Sequence, residues 1–266
     1  MAKAISLSST PRFAWGKWAR RIVFYILLLV AWQLFANSGV VPYGLFPGPL
    51  DVLGSLVAGF QSGQFLQATG ITMERLVIGY GISVALGVTL GLLMGRVRVF
   101  EETFGSLILG FQALPSVCWL PLAIIWFGLS EQAIIFVVVM GALFSITLGV
   151  DAGVKNTPPI YLKAARNLGT RGIALSSQVV LPAAMPAILS GLKQGWTFAW
   201  RSLMAGELLF FTLSLGNLLE AGRDLNDPAQ VMAVMVVIIV IGVTIDQLIF
   251  APIERRVRER WGLQQG

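Results

Sequence analysis

Long apolar runs separated by short polar segments make up most of the chain. The runs lack the alternation of apolar and polar positions found in barrel strands, and only helices and closed barrels satisfy their own backbone groups in lipid. Each run approaches or exceeds the roughly 20 residues that a helix needs to cross a bilayer. The pattern predicts an all-α membrane protein with about six transmembrane helices, near residues 20–36, 72–94, 103–127, 132–150, 186–211 and 231–252.

Two of the predicted helices begin with capping signals. Ser130 precedes Glu131 at the start of the fourth helix, and Asp227 with Pro228 precedes the sixth. A serine or aspartate side chain at this position accepts a hydrogen bond from the first helical turn, where proline is also tolerated. The loops before these two helices are therefore expected to be ordered.

The polar segment 155–182, between the fourth and fifth helices, contains the signals of a short helix. Thr157 with Pro158 and Pro159 is typical of a helix start, and Gly169 is typical of a helix end. About nine residues are too few for a helix to be stable alone in water. We expect this helix to pack either against a partner protein or against its own transmembrane bundle.

One face of this short helix is apolar and narrow. Ile160, Ala164 and Leu168 recur at positions i, i+4 and i+8, with Tyr161 and Ala165 beside them. The polar side chains that face away are Lys163, Arg166 and Asn167. Because Ala164, Ala165 and Gly169 are small, the helix backbone can approach a partner closely, and the helix is suited to a groove on another protein.

Composition supports the membrane assignment and excludes several kinds of chemistry. The chain is 56% hydrophobic and 12% charged, against about 25% charged for an ordinary soluble domain. It has no histidine and one cysteine, Cys118, which removes the usual metal ligands and any internal disulfide. We expect no metal site, no nucleic-acid partner and no enzymatic activity, because no cluster of acids, bases or metal ligands is evident.

The basic residues predict that both termini are cytoplasmic. Lysine and arginine concentrate on the cytoplasmic side of membrane proteins, and six spans with an internal N-terminus place fifteen of the nineteen basic residues there. The domains are then a basic and aromatic N-terminal segment at 1–19, a transmembrane domain at 20–253, and a basic cytoplasmic tail at 254–266. Phe13, Trp15 and Trp18 suggest that the first segment lies on the inner leaflet; an unstructured tail is the alternative.

Charges inside the fifth predicted span are candidates for the translocation pathway. Arg201 and Glu207 lie six residues apart, about 9 Å along a helix and on different faces, so each is expected to meet another helix or a second protomer. Charges inside a membrane are costly, so a functional role is the first hypothesis for each of them. Trp200 and Ser202, on either side of Arg201, are included as candidates. A structural ion pair is the alternative. Arg201 is the better candidate for attracting an anion.

Small residues and prolines predict how the spans pack and bend. Gly87, Gly91 and Gly95 form a stripe that permits close helix crossing within the chain or between protomers. Pro115 and Pro121 each remove a backbone donor and are expected to kink the third span. Such a kink either forms part of a gate or only determines the shape of the span.

Several segments resemble a known family. The stretch from Lys163 to Pro182 resembles the cytoplasmic coupling loop of ABC importer permeases, whose pattern is Glu-Ala-Ala, three residues, Gly, nine residues and Ile-x-Leu-Pro. The segments 74–95, 115–128 and 181–208 are similar to the aliphatic sulfonate, taurine and nitrate branch of these permeases. The likeness extends over roughly residues 45–255. One departure is that Lys163 stands where the family has glutamate, so any ion pair to the ATPase is absent or reversed.

The resemblance implies a transport subunit and its assembly. The coupling loop contacts a separate ATPase that binds ATP and magnesium, in agreement with the lack of a G-x-x-x-x-G-K-[ST] phosphate loop here. The family implies two permease copies, two ATPase subunits and an extracytoplasmic solute-binding protein in a bacterial inner membrane. The residues implied in coupling are Tyr161, Lys163, Ala164, Ala165, Arg166, Leu168, Gly169, Leu181 and Pro182.

The substrate and one alternative function stay open. The resemblance implies a small oxyanion or sulfonate, such as an alkanesulfonate, taurine, nitrate or bicarbonate. A stand-alone ion-coupled secondary transporter is the alternative, and such a protein is expected to contain inverted repeats and broken helices. No convincing internal repeat is present in the sequence.

Overall fold

A computed structural model describes residues 15–41 and 44–261, and this part of the chain consists of helices joined by short irregular segments, without strands. Three non-α turns interrupt the helices: a 3₁₀ turn at Ser116–Trp119 and π turns at Ser176–Val180 and Asp246–Phe250. The α-helices are α1 (Trp15–Asn37), α2 (Pro49–Gln61), α3 (Gln64–Arg96), α4 (Arg98–Ala113), α5 (Leu120–Phe127), α6 (Glu131–Lys155), α7 (Pro159–Asn167), α8 (Gly172–Leu175), α9 (Leu181–Glu207), α10 (Leu215–Asp224), α11 (Pro228–Ile245) and α12 (Ala251–Arg260).

The predicted fold class is confirmed. Among the described residues, five helical segments are long and apolar enough to cross a membrane, and a bent pair made of α4 and α5 brings the number to as many as six. The fifth span starts before its predicted bound, because α8 continues through a π turn into α9, and the sixth ends after its predicted bound, because α11 continues through another into α12. Prediction placed these ends at the limits of the apolar runs, whereas the helices extend into polar sequence.

Helices α3, α6 and α9 form the centre of the bundle, with α6 between the other two. Their close approach depends on glycine, since a Cβ added at Gly149 of α6 would meet the Cα of Gly191 on α9 at 2.5 Å. Buried aliphatic side chains such as Ile134, Ile146 and Leu203 fill the remaining space. The helix that continues into the polar loop at 155–182 is therefore held in the middle of the molecule.

A second apolar cluster joins α2, the start of α3, α10 and α11 at the side of this centre. Helix α1 lies further out, and its apolar side chains from Ile22 to Val30 are about half exposed. Its Trp32 packs on the second cluster and donates an indole hydrogen bond to the carbonyl of Pro47 at 3.0 Å. Since the chain is a membrane protein, the exposed face of α1 is suited to contact with lipid or with another protein.

The third predicted span is broken. Helices α4 and α5 meet at 103°, and the break lies at Leu114 and Pro115. Pro121 lies in the first turn of α5, where its missing donor costs nothing, and it does not bend that helix. Irregular backbone within a membrane protein is tolerated where protein buries it or where it lines a cavity. The break between α4 and α5 is therefore expected to meet one of these two conditions.

Only one of the two predicted N-caps, Asp227, forms the expected side-chain hydrogen bond. Asp227 accepts a hydrogen bond from the backbone N–H of Gln230 at 2.9 Å, as expected. Ser130 holds the N-cap position of α6, but its buried hydroxyl has no hydrogen-bond partner among the described residues. The predicted interfacial segment at 1–19 lies outside the described residues up to residue 14, and the tail at 254–266 does so from residue 262.

Candidate coupling helix and translocation pathway

Helix α7 begins one residue later than the sequence signal indicated. Its N-cap is Pro158, and Pro159 is its first residue. The buried hydroxyl of Thr157 donates to the carbonyl of Gly153 at 3.2 Å, so it closes the end of α6 and does not cap α7. The Thr157 hydroxyl is therefore not the cap of α7 that the helix-start signal indicated. The rigid φ of Pro158 and Pro159 sets the start of the helix instead.

The end of α7 is fixed by Gly169. This residue has φ +87°, a left-handed conformation that strongly favours glycine. The N–H of Gly169 donates to the carbonyl of Arg166 at 3.0 Å, and the N–H of Thr170 donates to that of Ala165 at 2.9 Å. This pair of bonds is the Schellman motif, which satisfies the last carbonyls of a helix. The short helix thus has a defined end.

The apolar face predicted for α7 points away from the bundle. Ile160 is 67% exposed and Leu168 is 86% exposed, with Tyr161 exposed beside them. Leu162 and Ala165 attach the helix to its own chain, because Ala165 is buried and Leu162 packs on the central core. One strip of the helix therefore packs on its own bundle, and another strip is uncovered in this chain. Packing of the uncovered strip against a partner stays a prediction.

The connection from α7 into the bundle is continuous. Helix α7 contacts α8 and the π turn at Ser176–Val180, which runs directly into α9. Val180 is buried in the core, and Leu181 packs on it, while Pro182 lies in the first turn of α9. Helix α7 is thus connected through this π turn to α9, which in turn packs closely on α6.

The remaining residues assigned to the coupling loop are on the surface. Lys163, Ala164, Arg166 and Gly169 are exposed. The surface of α7 is therefore an apolar strip beside a basic one. Nothing in the described part of the chain lies close to the place where a Cβ of Gly169 would be.

Arg201 and Glu207 are not brought together. Glu207 has no exposed surface, and its carboxylate accepts a hydrogen bond from Arg75 Nη1 at 2.9 Å. Arg201 is exposed, and it lines a cavity of about 390 Å³. The two residues thus have different environments, as their positions on different faces of α9 predict.

The other two pathway candidates are packed inside the protein. Ser202 is fully buried, and its hydroxyl donates to the carbonyl of Phe198 at 2.7 Å. Trp200 is partly buried between the two apolar clusters. Among these four candidates, only Arg201 lines the cavity.

A buried polar cluster, which sequence reasoning did not identify, surrounds Glu207. Arg75 is 3% exposed and donates to Glu131 from Nε at 2.6 Å, while Thr72 donates to Glu207 at 2.9 Å. The backbone N–H of Gly216 also donates to Glu207, at 3.1 Å. This cluster joins α3, α6, α9 and α10 at the end of the bundle opposite α7. Its sequence signals are two charges within predicted spans, Arg75 and Glu207, of which only Glu207 was singled out.

The other intramembrane charges and the glycine stripe have packing roles. Lys193 forms an ion pair with Asp246 at 2.9 Å and lies 3.6 Å from Glu254. Gly87, Gly91 and Gly95 all face α6 of the same chain, where added Cβ atoms would meet Ile146, Thr147 and Val154 at 2.5 to 2.8 Å. The stripe therefore serves contacts within one protomer.

These features define a multi-pass helical membrane protein that presents a short helix with an apolar surface at one end. The chain belongs to the family described as the binding-protein-dependent transport system inner membrane component, whose sequence model matches residues 87–259. It is accordingly a transport permease of the ABC type.

Individual relatives agree with this family. A putative ABC transporter permease of Methanocaldococcus jannaschii is 33% identical over 229 residues, covering 83% of this chain and 84% of that protein. The taurine transport system permease of Escherichia coli K12 is 27% identical over 220 residues, covering 81% and 80%. The nitrate import permease of Leptolyngbya laminosa is 26% identical over 248 residues, covering 88% and 87%.

A solved structure agrees at the level of fold. The inward-facing MetNI methionine ABC transporter has a TM-score of 0.62 and 18% sequence identity, over 74% of this chain and 97% of that one. At this identity the likeness concerns the arrangement of helices alone.

Proposed function

We propose that this chain is the membrane-spanning subunit of an ATP-driven importer for a small oxyanion or sulfonate. Two copies form the pathway, and an extracytoplasmic solute-binding protein delivers the solute. Two separate ATPase subunits, which bind ATP and magnesium, dock on α7. The relatives named for taurine and nitrate support the substrate class, and the membership in a binding-protein-dependent family supports the assembly.

The uncovered apolar strip of α7 carries this proposal. Ile160 and Leu168 are mostly exposed on a helix that is held at a fixed angle by its proline start and its Gly169 end. Burying one such side chain contributes about 1.5 to 3 kcal/mol. A partner groove that covers the strip would therefore gain both affinity and a rigid attachment to the bundle.

The basic strip beside it bears on the detail of the docking. Lys163 is exposed on α7 and has no ion pair within the described residues. An acidic group at the rim of the ATPase groove would match it, whereas a basic group that pairs with the family's glutamate would repel it. The apolar contact is expected to supply most of the affinity in either case, because exposed ion pairs contribute about 0 to 1 kcal/mol.

The pathway function follows from a movement of α7. ATP binding and hydrolysis in the partner would displace α7, and the π turn and Pro182 would transmit this displacement into α9. Inward-facing and outward-facing arrangements then exchange with the nucleotide state of the partner. The chain is proposed to lie in the inner membrane of a bacterium, with α7 and both termini in the cytoplasm.

The test is the effect of Leu168→Asp on ATP hydrolysis and transport. The tagged chain is purified from its native membranes with its associated subunits, and ATPase activity per permease is measured. Leu168→Asp should lower the associated activity roughly 10- to 100-fold, since it places a charge in the groove contact. Val99→Asp is the matched control, because Val99 is 66% exposed at the same end of the bundle outside the loop.

Two results would contradict the proposal. Full ATPase activity in the Leu168→Asp complex would show that α7 is not the docking helix. Uptake by the purified chain alone under an ion gradient, without ATP, would instead support the stand-alone secondary transporter.

A further inference from the structure

The broken span made of α4 and α5 lies beside α9. The break between α4 and α5 is within the third predicted span, and residues from Phe111 to Val117 line one side of the cavity of about 390 Å³. Irregular backbone within a membrane protein is tolerated where it lines a cavity, and in secondary transporters such interrupted helices form the substrate site. The cavity is in the usual size range of sites for small ligands.

Arg201 is the charged residue that lines this cavity in the described part of the chain. Of the three charged residues on α9, Lys193 and Glu207 form ion pairs. Arg201 forms no ion pair and no hydrogen bond within the described part of the chain. Arg201 lies about 9 Å along the helix from Glu207, the last residue of α9, and about 30 Å from Leu181, its first residue. An unpaired cation within a membrane-spanning helix is costly unless a ligand or water provides its counter-charge.

The rest of the cavity wall supplies neutral donors and an apolar surface. The amide of Gln112 donates to the hydroxyl of Ser145 at 3.0 Å, and both line the cavity with Ser116. Phe111 and Phe144, with ring centroids 5.5 Å apart, form part of the apolar wall, and Phe198 lies beside them. Within the described residues, no acidic side chain lines this cavity.

We propose that this cavity is a solute-binding site for small organic sulfonates, with Arg201 as the residue that binds the sulfonate head. The planar guanidinium group can donate two parallel hydrogen bonds to an oxyanion. Gln112, Ser116 and Ser145 supply further polar contacts, and the phenylalanines bury a short alkyl body. The inference rests on the proposed function, which makes this part of the bundle a solute route.

The site is tested by cysteine labelling, which requires neither ATP nor a partner. In a Cys118→Ser background, Ser116→Cys places a thiol in the cavity. Its labelling rates with an anionic reagent, 2-sulfonatoethyl methanethiosulfonate, and a cationic one, 2-(trimethylammonio)ethyl methanethiosulfonate, are compared. Val40→Cys is the control, because Val40 is 74% exposed and lies outside the cavity.

The expected result is a charge preference that depends on Arg201. Relative to Val40→Cys, the anionic reagent should be favoured about tenfold at Ser116→Cys, and Arg201→Gln should abolish this preference. Arg201→Lys should keep most of it, which separates lost charge from lost folding. Ethanesulfonate should slow labelling at Ser116→Cys but not at Val40→Cys, and nitrate at the same concentration should protect less because it lacks an apolar body.

Three outcomes would overturn the inference. An unchanged preference in Arg201→Gln would remove the role of Arg201, and no protection by ethanesulfonate would remove the site. Equal protection by nitrate would overturn the choice of organic sulfonates. Since labelling is independent of ATP hydrolysis, these failures differ from a failure of the importer function, which would appear as uptake without ATP.

Discussion

At the scale of single residues, Arg75 determines how the end of the bundle opposite α7 is held together. Its guanidinium contacts Glu207, Glu131 and the hydroxyl of Thr212, which lies 2.8 Å from Nη2. Glu207 is completely buried, so its desolvation is offset by this arginine and by the hydrogen bonds from Thr72 and Gly216. A buried pair of this kind contributes little relative to apolar residues, but breaking it leaves an uncompensated charge.

We predict that Arg75→Met destabilises the protein by about 3 to 5 kcal/mol, because Glu207 then remains buried without a cation. Unfolding is followed in detergent by circular dichroism against temperature and denaturant. Arg98→Met is the control, since the Arg98 pair with Glu102 is exposed and contributes about 0 to 1 kcal/mol. Combining Arg75→Met with Glu207→Met should recover part of the loss. Equal stability of Arg75→Met and Arg98→Met would contradict this role.

At the scale of elements, the contact between α6 and α9 depends on two glycines. The Cα of Gly191 lies 2.5 Å from the place where a Cβ on Gly149 would be, and the reverse distance is 2.9 Å. Backbone atoms cannot move aside as a flexible side chain can. Any larger residue at Gly149 must therefore separate the two helices, and the separation extends toward α7 because α9 starts beside it.

We predict that Gly149→Leu lowers stability by about 1 to 3 kcal/mol or more, as overpacking of a tight contact does. Gly81→Leu is the matched control, because a Cβ at Gly81 on α3 meets no atom within 4 Å. The measurement is the midpoint of thermal unfolding in detergent, together with the monodisperse fraction in size-exclusion chromatography. The idea fails if both variants unfold at the same temperature.

The sequence predicts those elements whose signals are local. Apolar runs indicated six spans because lipid requires long apolar helices, and Gly169 indicated the end of α7 because the left-handed conformation favours glycine. Pro115 likewise marked the break between α4 and α5. The start of the fifth span and the end of the sixth were predicted less well, because π turns join α8 to α9 and α11 to α12 through more polar sequence.

Long-range partners were not predictable from the sequence. Arg75 and Glu207 are 132 positions apart, and nothing in the local pattern of either residue indicates the other. The same is true of the cavity beside Arg201, whose wall combines the break after α4 with residues of α6 and α9. A single intramembrane charge signals that a partner or ligand exists, but the identity of that partner depends on how the helices pack.

At the scale of the whole molecule, basic residues predict the orientation of the bundle. Helix α7, with Lys163 and Arg166, lies at one end, and α10, with Arg223, lies at the end to which α9 runs. The 27 residues of α9 extend about 40 Å at 1.5 Å per residue, enough to cross the hydrocarbon core. The two ends of the bundle are therefore expected to contact different compartments, with α7 where ATP is available.

We predict that Lys163→Cys and Arg223→Cys, each in a Cys118→Ser background, react on opposite sides of the membrane. Both positions are exposed, so a membrane-impermeant maleimide reaches each thiol from whichever side it faces. In intact spheroplasts Arg223→Cys should be labelled, whereas Lys163→Cys should react only after detergent opens the membrane. The Cys118→Ser protein without an added cysteine gives the background, and labelling after detergent shows that both thiols are reactive. Labelling of Lys163→Cys in intact spheroplasts would reverse the orientation and place α7 out of reach of a cytoplasmic ATPase.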